Sequence, residues 1–234
     1  MYIVFLIILG AIFVFVPILD ATGILDGKAD PKTDPSEIRC KNYYITTTFL
    51  WCLVTPIIIM GIIGDISLAD VGFRPLNFHH NIWFTVTAIT LALALFVREF
   101  ALPLIRIDKY RKEIAMDEDD DINEYPHTFK EKLLYTIQSL SSAICEETVY
   151  RGFLIFLLYA VFPEIPILLI CLIVFIAFGI GHLYQGLRNA IEIGLFGVLS
   201  ICLTIVTGSL IPAILLHFFG EFASTFMVKK NDCR

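Results

Sequence analysis

Seven stretches of this 234-residue chain are apolar over much of the thickness of a lipid bilayer: 2–19, 43–66, 82–97, 129–161, 165–184, 190–207 and 210–228. About 20 apolar residues cross a ~30 Å hydrocarbon core as a helix, whereas a membrane β-strand needs only ~9–11. No water satisfies backbone N–H and C=O groups inside that core, so runs this long must be helical. The sequence therefore predicts an all-α fold, a polytopic transmembrane helical bundle of about seven helices. Composition agrees: 57% of residues are hydrophobic and the mean hydropathy is +0.79, against about 45–50% apolar in soluble domains. The first run lacks a basic flank and a small-x-small cleavage site, so it reads as a retained helix rather than a signal peptide.

The segments between the runs are polar. Residues 20–42 read as a loop carrying Gly, Pro and both signs of charge, and 67–81 as a short connector. Residues 106–132 read as a solvated loop, with a basic cluster (Arg106, Lys109, Arg111, Lys112) and an acidic run (Asp117–Asp121). Pro56 is expected to kink the second run, which membrane helices tolerate when neighbours satisfy the freed backbone. The chain divides into residues 1–129, N-terminal transmembrane helices with a cytoplasmic loop, and residues 130–228, a core. Of the 17 Lys and Arg residues, fifteen fall on one side of a seven-span arrangement and only Arg74 on the other, Arg151 lying within a span. Positive residues mark the cytoplasmic side. The expected topology has the N-terminus outside and the C-terminus in the cytosol. There is no basic stripe for a nucleic acid to bind, and the net charge is −6. The six cysteines (Cys40, Cys52, Cys145, Cys171, Cys202, Cys233) form no CxxC pair and have no metal-binding spacing.

Against this apolar background six polar residues stand out: Glu146, Glu147 and Arg151 on one run, His182 at the end of the next, and His217 and Glu221 on the last. A charge at the centre of a bilayer costs about 3 kcal/mol on insertion scales, so such residues are rare and mark functional sites. Glu147 and Arg151 are four apart and share a helix face. They read either as a packing ion pair or as part of the chemistry. Glu146 lies ~100° around the helix from Glu147. An intramembrane carboxylate with no partner on its own helix is placed to act as a general base. His217 and Glu221 share a face at i, i+4. One Glu and two His can activate a water, directly or through zinc, with His182, His217 and Glu221 as the ligands if a metal is present. No HExxH or GxSxG occurs in the sequence, and the absence of paired Glu-x-x-His excludes a di-iron bundle.

The pattern Glu146-Glu147-x-x-x-Arg151, Phe178-x-x-x-His182 and His217-x-x-x-Glu221 resembles the three motifs of the CPBP family. That family comprises CAAX prenyl endopeptidases and bacterial bacteriocin-processing or immunity proteins, often labelled Abi. The stretches 182–186 (HLYQG) and 207–214 (TGSLIPAI) are similar to bacterial members, and 67–74 (SLADVGFR) faintly resembles an element upstream of the core. The resemblance covers about residues 130–225. It implies that Glu146 and His182 activate water and that His217 donates to the oxyanion. The sequence departs from the family at Glu221, where Asn or Asp is usual. An ionised Glu cannot donate a hydrogen bond, so Glu221 fits that role only as a neutral acid, or else it orients His217.

The leading expectation is an intramembrane endopeptidase of the glutamic, CPBP type. It would hydrolyse a peptide bond of a membrane-embedded or lipidated peptide, with its site toward the cytoplasmic leaflet and no cofactor. One alternative is a zinc metalloprotease built from the same cluster. The other is a non-enzymatic immunity or transport protein, because intramembrane Glu and His also serve proton relays. The topology is tested by Asp119→Cys in a chain whose native cysteines have been replaced. A membrane-impermeant thiol reagent should leave position 119 unlabelled in intact cells and label it in inverted vesicles. Labelling from outside would refute the seven-span arrangement.

Overall fold

The computed structural model describes residues 34–78, 81–114 and 125–226. The run 2–19, the acidic run Asp117–Asp121 and the C-terminal residues 227–234 lie outside the described residues. Among the described residues every regular element is a helix.

Helix α1, Pro35–Ile62, starts eight residues before the apolar run that suggested it. The Asp34 side chain caps it by accepting from the Ser36 amide at 3.0 Å, and Pro35 stands in its first turn. Both are helix-start signals. The polar first turns can be helical because a distant helix satisfies them. Arg39 Nε lies 3.0 Å from Glu131 Oε2, and the Ser36 hydroxyl bonds the same fully buried carboxylate. Pro56 lies within α1. Helix α2, Ile82–Phe96, is capped by Asn81 and runs through a π turn, Val97–Ala101, into α3, Leu102–Ile105. A further helix, α4, covers Ile107–Ile114, where the sequence suggested only a solvated loop. Ile107 and Tyr110 recur there at helical spacing among charged residues, a short amphipathic pattern hidden by high net polarity.

Helix α5, Phe129–Glu146, opens on a capping box in which Thr128 and Glu131 satisfy each other's backbone amides, a device worth about 1 kcal/mol. The helix passes through a second π turn, Glu147–Phe153, into α6, Leu154–Val161. The remaining helices are α7, Ile167–Ile180, α8, Leu187–Thr207, and α9, Ile211–Phe222. Gly208 ends α8 at φ 64°, a left-handed conformation that side chains disfavour. Pro212 then sits in the first turn of α9.

Three helical stretches are long and apolar enough to cross a membrane: 35–62, 82–105 and 187–207. Helices α7 and α9 are apolar but shorter. The 14 residues of α7 rise about 21 Å, short of a ~30 Å core. The expected count of seven spans is therefore not reached among the described residues. The outer faces carry large apolar side chains such as Ile62, Trp83 and Leu168, each more than three-quarters exposed, as befits surfaces that face lipid.

Helix α7 packs along α8, α1 along α5, α2 along α8, and α9 along α5. Phe153, Phe178, Ile170 and Ile201 are fully buried where these layers meet. The connector 67–78 lies against the core. Its Gly72 carbonyl accepts from the Leu210 amide at 2.9 Å, and the Asn77 amide donates to Thr207 O at 2.7 Å. Ser67, through its hydroxyl and amide, holds the exposed Asp70 carboxyl below the ordinary carboxylate range.

The connector comes so close to the second π turn that a Cβ on Gly152 would lie 2.5 Å from the Val71 carbonyl oxygen. A backbone oxygen cannot rotate away. Gly152→Ala should therefore cost about 1–3 kcal/mol, the usual penalty for overpacking. Gly61→Ala, whose nearest neighbour would be Ile66 O at 3.9 Å, should be neutral or gain up to about 1 kcal/mol of helix propensity. Thermal unfolding of the purified proteins in detergent measures both. Equal Tm values for the two variants would show that the connector is not seated on the π turn.

Candidate active site

The site forms where α5 enters its π turn. Glu146 closes the α-helical part and Glu147 opens the π part. One extra residue in a helical turn rotates all that follows by about 100° relative to an unbroken α-helix. π turns are rare and recur at functional sites. All seven residues of this turn are buried, including Glu147 and Arg151.

His217 sits at the centre. Helix α9 delivers it between two carboxyl groups: Nδ1 is 3.0 Å from Glu147 Oε1, and Nε2 is 3.1 Å from Glu221 Oε1. Glu146 Oε2 lies 4.0 Å from the same Nε2. The ring edges of Phe178 and Phe196 pack against the imidazole, with centroids at 6.4 and 5.2 Å. Glu147 Oε1 also faces Arg151 Nη1 at 3.3 Å, both side chains being fully buried. The Arg151 guanidinium lies over the Phe178 ring, 4.0 Å from its centroid. A cation–π contact of this kind offsets part of the desolvation of a buried charge. Gly197 makes room for it, since a Cβ there would sit 3.0 Å from Arg151 Nη2.

His182 follows the last turn of α7. Its Nδ1 is 2.8 Å from the Phe178 carbonyl oxygen, and its ring packs on the Phe178 ring at 4.7 Å. A carbonyl can only accept, so Nδ1 carries the hydrogen and Nε2 the lone pair of the neutral ring. Direct contacts thus gather Glu146, Glu147, Arg151, His217 and Glu221, and His182 is linked to them through Phe178. Among the described residues no group of three or more His, Cys, Asp or Glu side chains is arranged to hold a metal ion. Both ring nitrogens of His217, one of the three suggested zinc ligands, are engaged by carboxyl oxygens.

Two participants went unread in the sequence. Ser142, one turn before Glu146, places its hydroxyl 3.0 Å from Glu146 Oε1 and 3.1 Å from Glu221 Oε1. Glu146 therefore does have a partner on its own helix. The i−4 spacing was the available signal, but serine in an apolar helix ordinarily bonds its own backbone. The contact between Glu147 and His217 had no local signal, because 70 residues separate them.

An apolar helical bundle with carboxyl, guanidinium and imidazole groups in direct contact inside it defines a membrane protein with a buried acid–base site. Residues 128–223 match the family described as type II CAAX prenyl endopeptidase Rce1-like, a match consistent with a CPBP-family protease. The matched segment includes all six motif residues and Ser142, and the description makes the family one of peptide hydrolases. With the three bilayer-length apolar helices it identifies an integral membrane protein. No curated protein and no solved structure gives a match to the chain.

Glu147 touches both Arg151 and His217, so removing it strands a buried cation and an imidazole. Breaking a buried pair in this way costs about 3–5 kcal/mol. Glu147→Ala should lower Tm markedly in detergent and lose activity, and Glu147→Gln should recover part of the Tm. An unchanged Tm in Glu147→Ala would show that the carboxylate does not hold these groups.

Proposed function

We propose that the protein is an intramembrane endopeptidase that cleaves near the C-terminus of a prenylated, membrane-associated peptide, with Glu146 as the base that activates water. One observation carries this reading. Glu146 Oε2 is buried, accepts no hydrogen bond among the described residues, and lies 4.0 Å from His217 Nε2. Buried acceptors are nearly always satisfied, by protein or by ordered water. An acceptor and a ring nitrogen at this separation are spaced for one water bonded to both.

In this reading Glu146 takes a proton from the water as its oxygen attacks the scissile carbonyl. His182, whose Nε2 carries a lone pair, assists. His217 Nε2–H, which faces Glu221 Oε1 at 3.1 Å before reaction, turns its hydrogen bond to the oxyanion as that charge forms. Glu221 either adds a donor as a neutral acid or orients His217. The proton held by Glu146 then passes to the leaving amine. Glu147 and Arg151 fix the His217 ring. The reading routes no step through a metal. The Lys and Arg bias of the sequence supports a site reached from the cytoplasmic leaflet. The CAAX substrate class rests on the family description.

The test uses the purified full chain and an internally quenched peptide ending in an S-farnesylated CAAX box. Glu146→Gln and His182→Ala should each reduce cleavage by at least ~100-fold, the low end for losing general acid–base chemistry, with Tm maintained. Dialysis against a chelator should leave the rate unchanged. Full activity in Glu146→Gln would overturn the base assignment. One zinc per chain, lost together with activity on dialysis, would establish the metalloprotease.

A further inference from the structure

Among the described residues Ser142 is the one hydroxyl that touches two of the site's carboxyl groups, and it does so from inside the site: the residue is buried and its helix is the one that carries Glu146. The two carboxyl groups come from different helices. Glu146 stands at the end of α5 and Glu221 near the end of α9. Asp or Asn, usual at the Glu221 position in the resembling family, is one methylene shorter. The longer side chain of this protein spans the gap between helices. Glu221 Oε1 thereby meets both Ser142 Oγ and His217 Nε2, each at 3.1 Å.

We propose, resting on the endopeptidase reading above, that Ser142 is a positioning residue that ties Glu146 and Glu221 into one unit. A hydroxyl has one proton and two lone pairs. It donates to one carboxyl oxygen and accepts from the other when that group carries a proton, so the bridge is complete when the two carboxyl groups hold one proton between them. The bond to Oε1 fixes the Glu146 side chain and turns Oε2, the oxygen without a protein partner, toward His217. A glutamate has three rotatable side-chain bonds, and immobilising it beforehand lowers the entropic cost of reaching a reactive geometry. Ser142 touches no reacting atom in this scheme. It acts on the base and on the group beside the oxyanion donor.

The variants are Ser142→Ala, Ser142→Thr, Glu221→Gln and the double variant Ser142→Ala/Glu221→Gln. The control is Ser141→Ala, which loses a different hydroxyl bond, the one accepted from Trp51 Nε1 at 3.2 Å. With the farnesylated peptide, Ser142→Ala should lower kcat by ~10–100-fold, as misplacement of a catalytic group does, and leave KM within about 2-fold. Ser142→Thr keeps the hydroxyl and should recover most of kcat. The double variant should lose little more than the worse single variant, as residues acting as a unit do. Ser141→Ala should keep its kcat. A double variant whose losses multiply, or a Ser142→Ala protein with unchanged kcat, would overturn the proposal. Thermal unfolding of the same set gives a second readout that needs no substrate, and the Ser142 and Glu221 effects on Tm should likewise be non-additive. If the intact protein leaves the farnesylated peptide uncut, the substrate reading fails, and the Tm cycle alone decides the bridge: additive Tm changes refute it and non-additive changes sustain it.

Discussion

The His217 imidazole, held between Glu147 and Glu221, is the contact on which the rest of the site depends. Each of its nitrogens meets a carboxyl oxygen at hydrogen-bond distance. Through it the π turn after α5 is joined to α9, and Arg151 is joined to both by sharing Glu147 Oε1. In a bundle surrounded by lipid, apolar packing between helices gains little over packing against acyl chains, so polar contacts and close approach carry more of the association. The network leaves Glu146 Oε2, Glu147 Oε2 and both Arg151 Nη atoms buried without a hydrogen bond among the described residues, polar capacity that a structural core would not keep. The aromatic faces of Phe178 and Phe196 close the network off.

The fold class was legible because run length alone decides between helix and strand in a membrane. The boundaries were less so, for reasons particular to each element. α1 starts early because Ser36 and Arg39 find a partner in Glu131, more than ninety residues away. α4 is short and strongly charged, and so resembled a loop. The runs at 165–184 and 210–228 blend into apolar turns and 3₁₀ segments, so hydropathy overstated the helices within them. In the site, spacing of four brought Glu147 to Arg151 and His217 to Glu221. The π turn was invisible, because a backbone register change leaves no mark on a pattern of residue types. Ser142 was in plain view on the Glu146 face, but its second partner arrives from another helix.

Glu221 links two helices of the site. Its carboxyl group meets His217 one turn back on α9 and Ser142 across on α5. The carboxyl groups of Glu146, Glu147 and Glu221 converge on the His217 imidazole, with the Arg151 guanidinium beside Glu147.

The Ser36–Arg39–Glu131 contact has a consequence for biogenesis. It joins the first turns of α1 and α5, so both turns must lie at the same face of the bilayer. Between them the chain crosses along α1 and returns along 82–105. The staple can close only once both helices of that hairpin are in place. Until then Arg39 waits near the headgroups, where a long cationic side chain is at home. Its engagement with Glu131 ties the first turns of α1 and α5 together around a fully buried carboxylate.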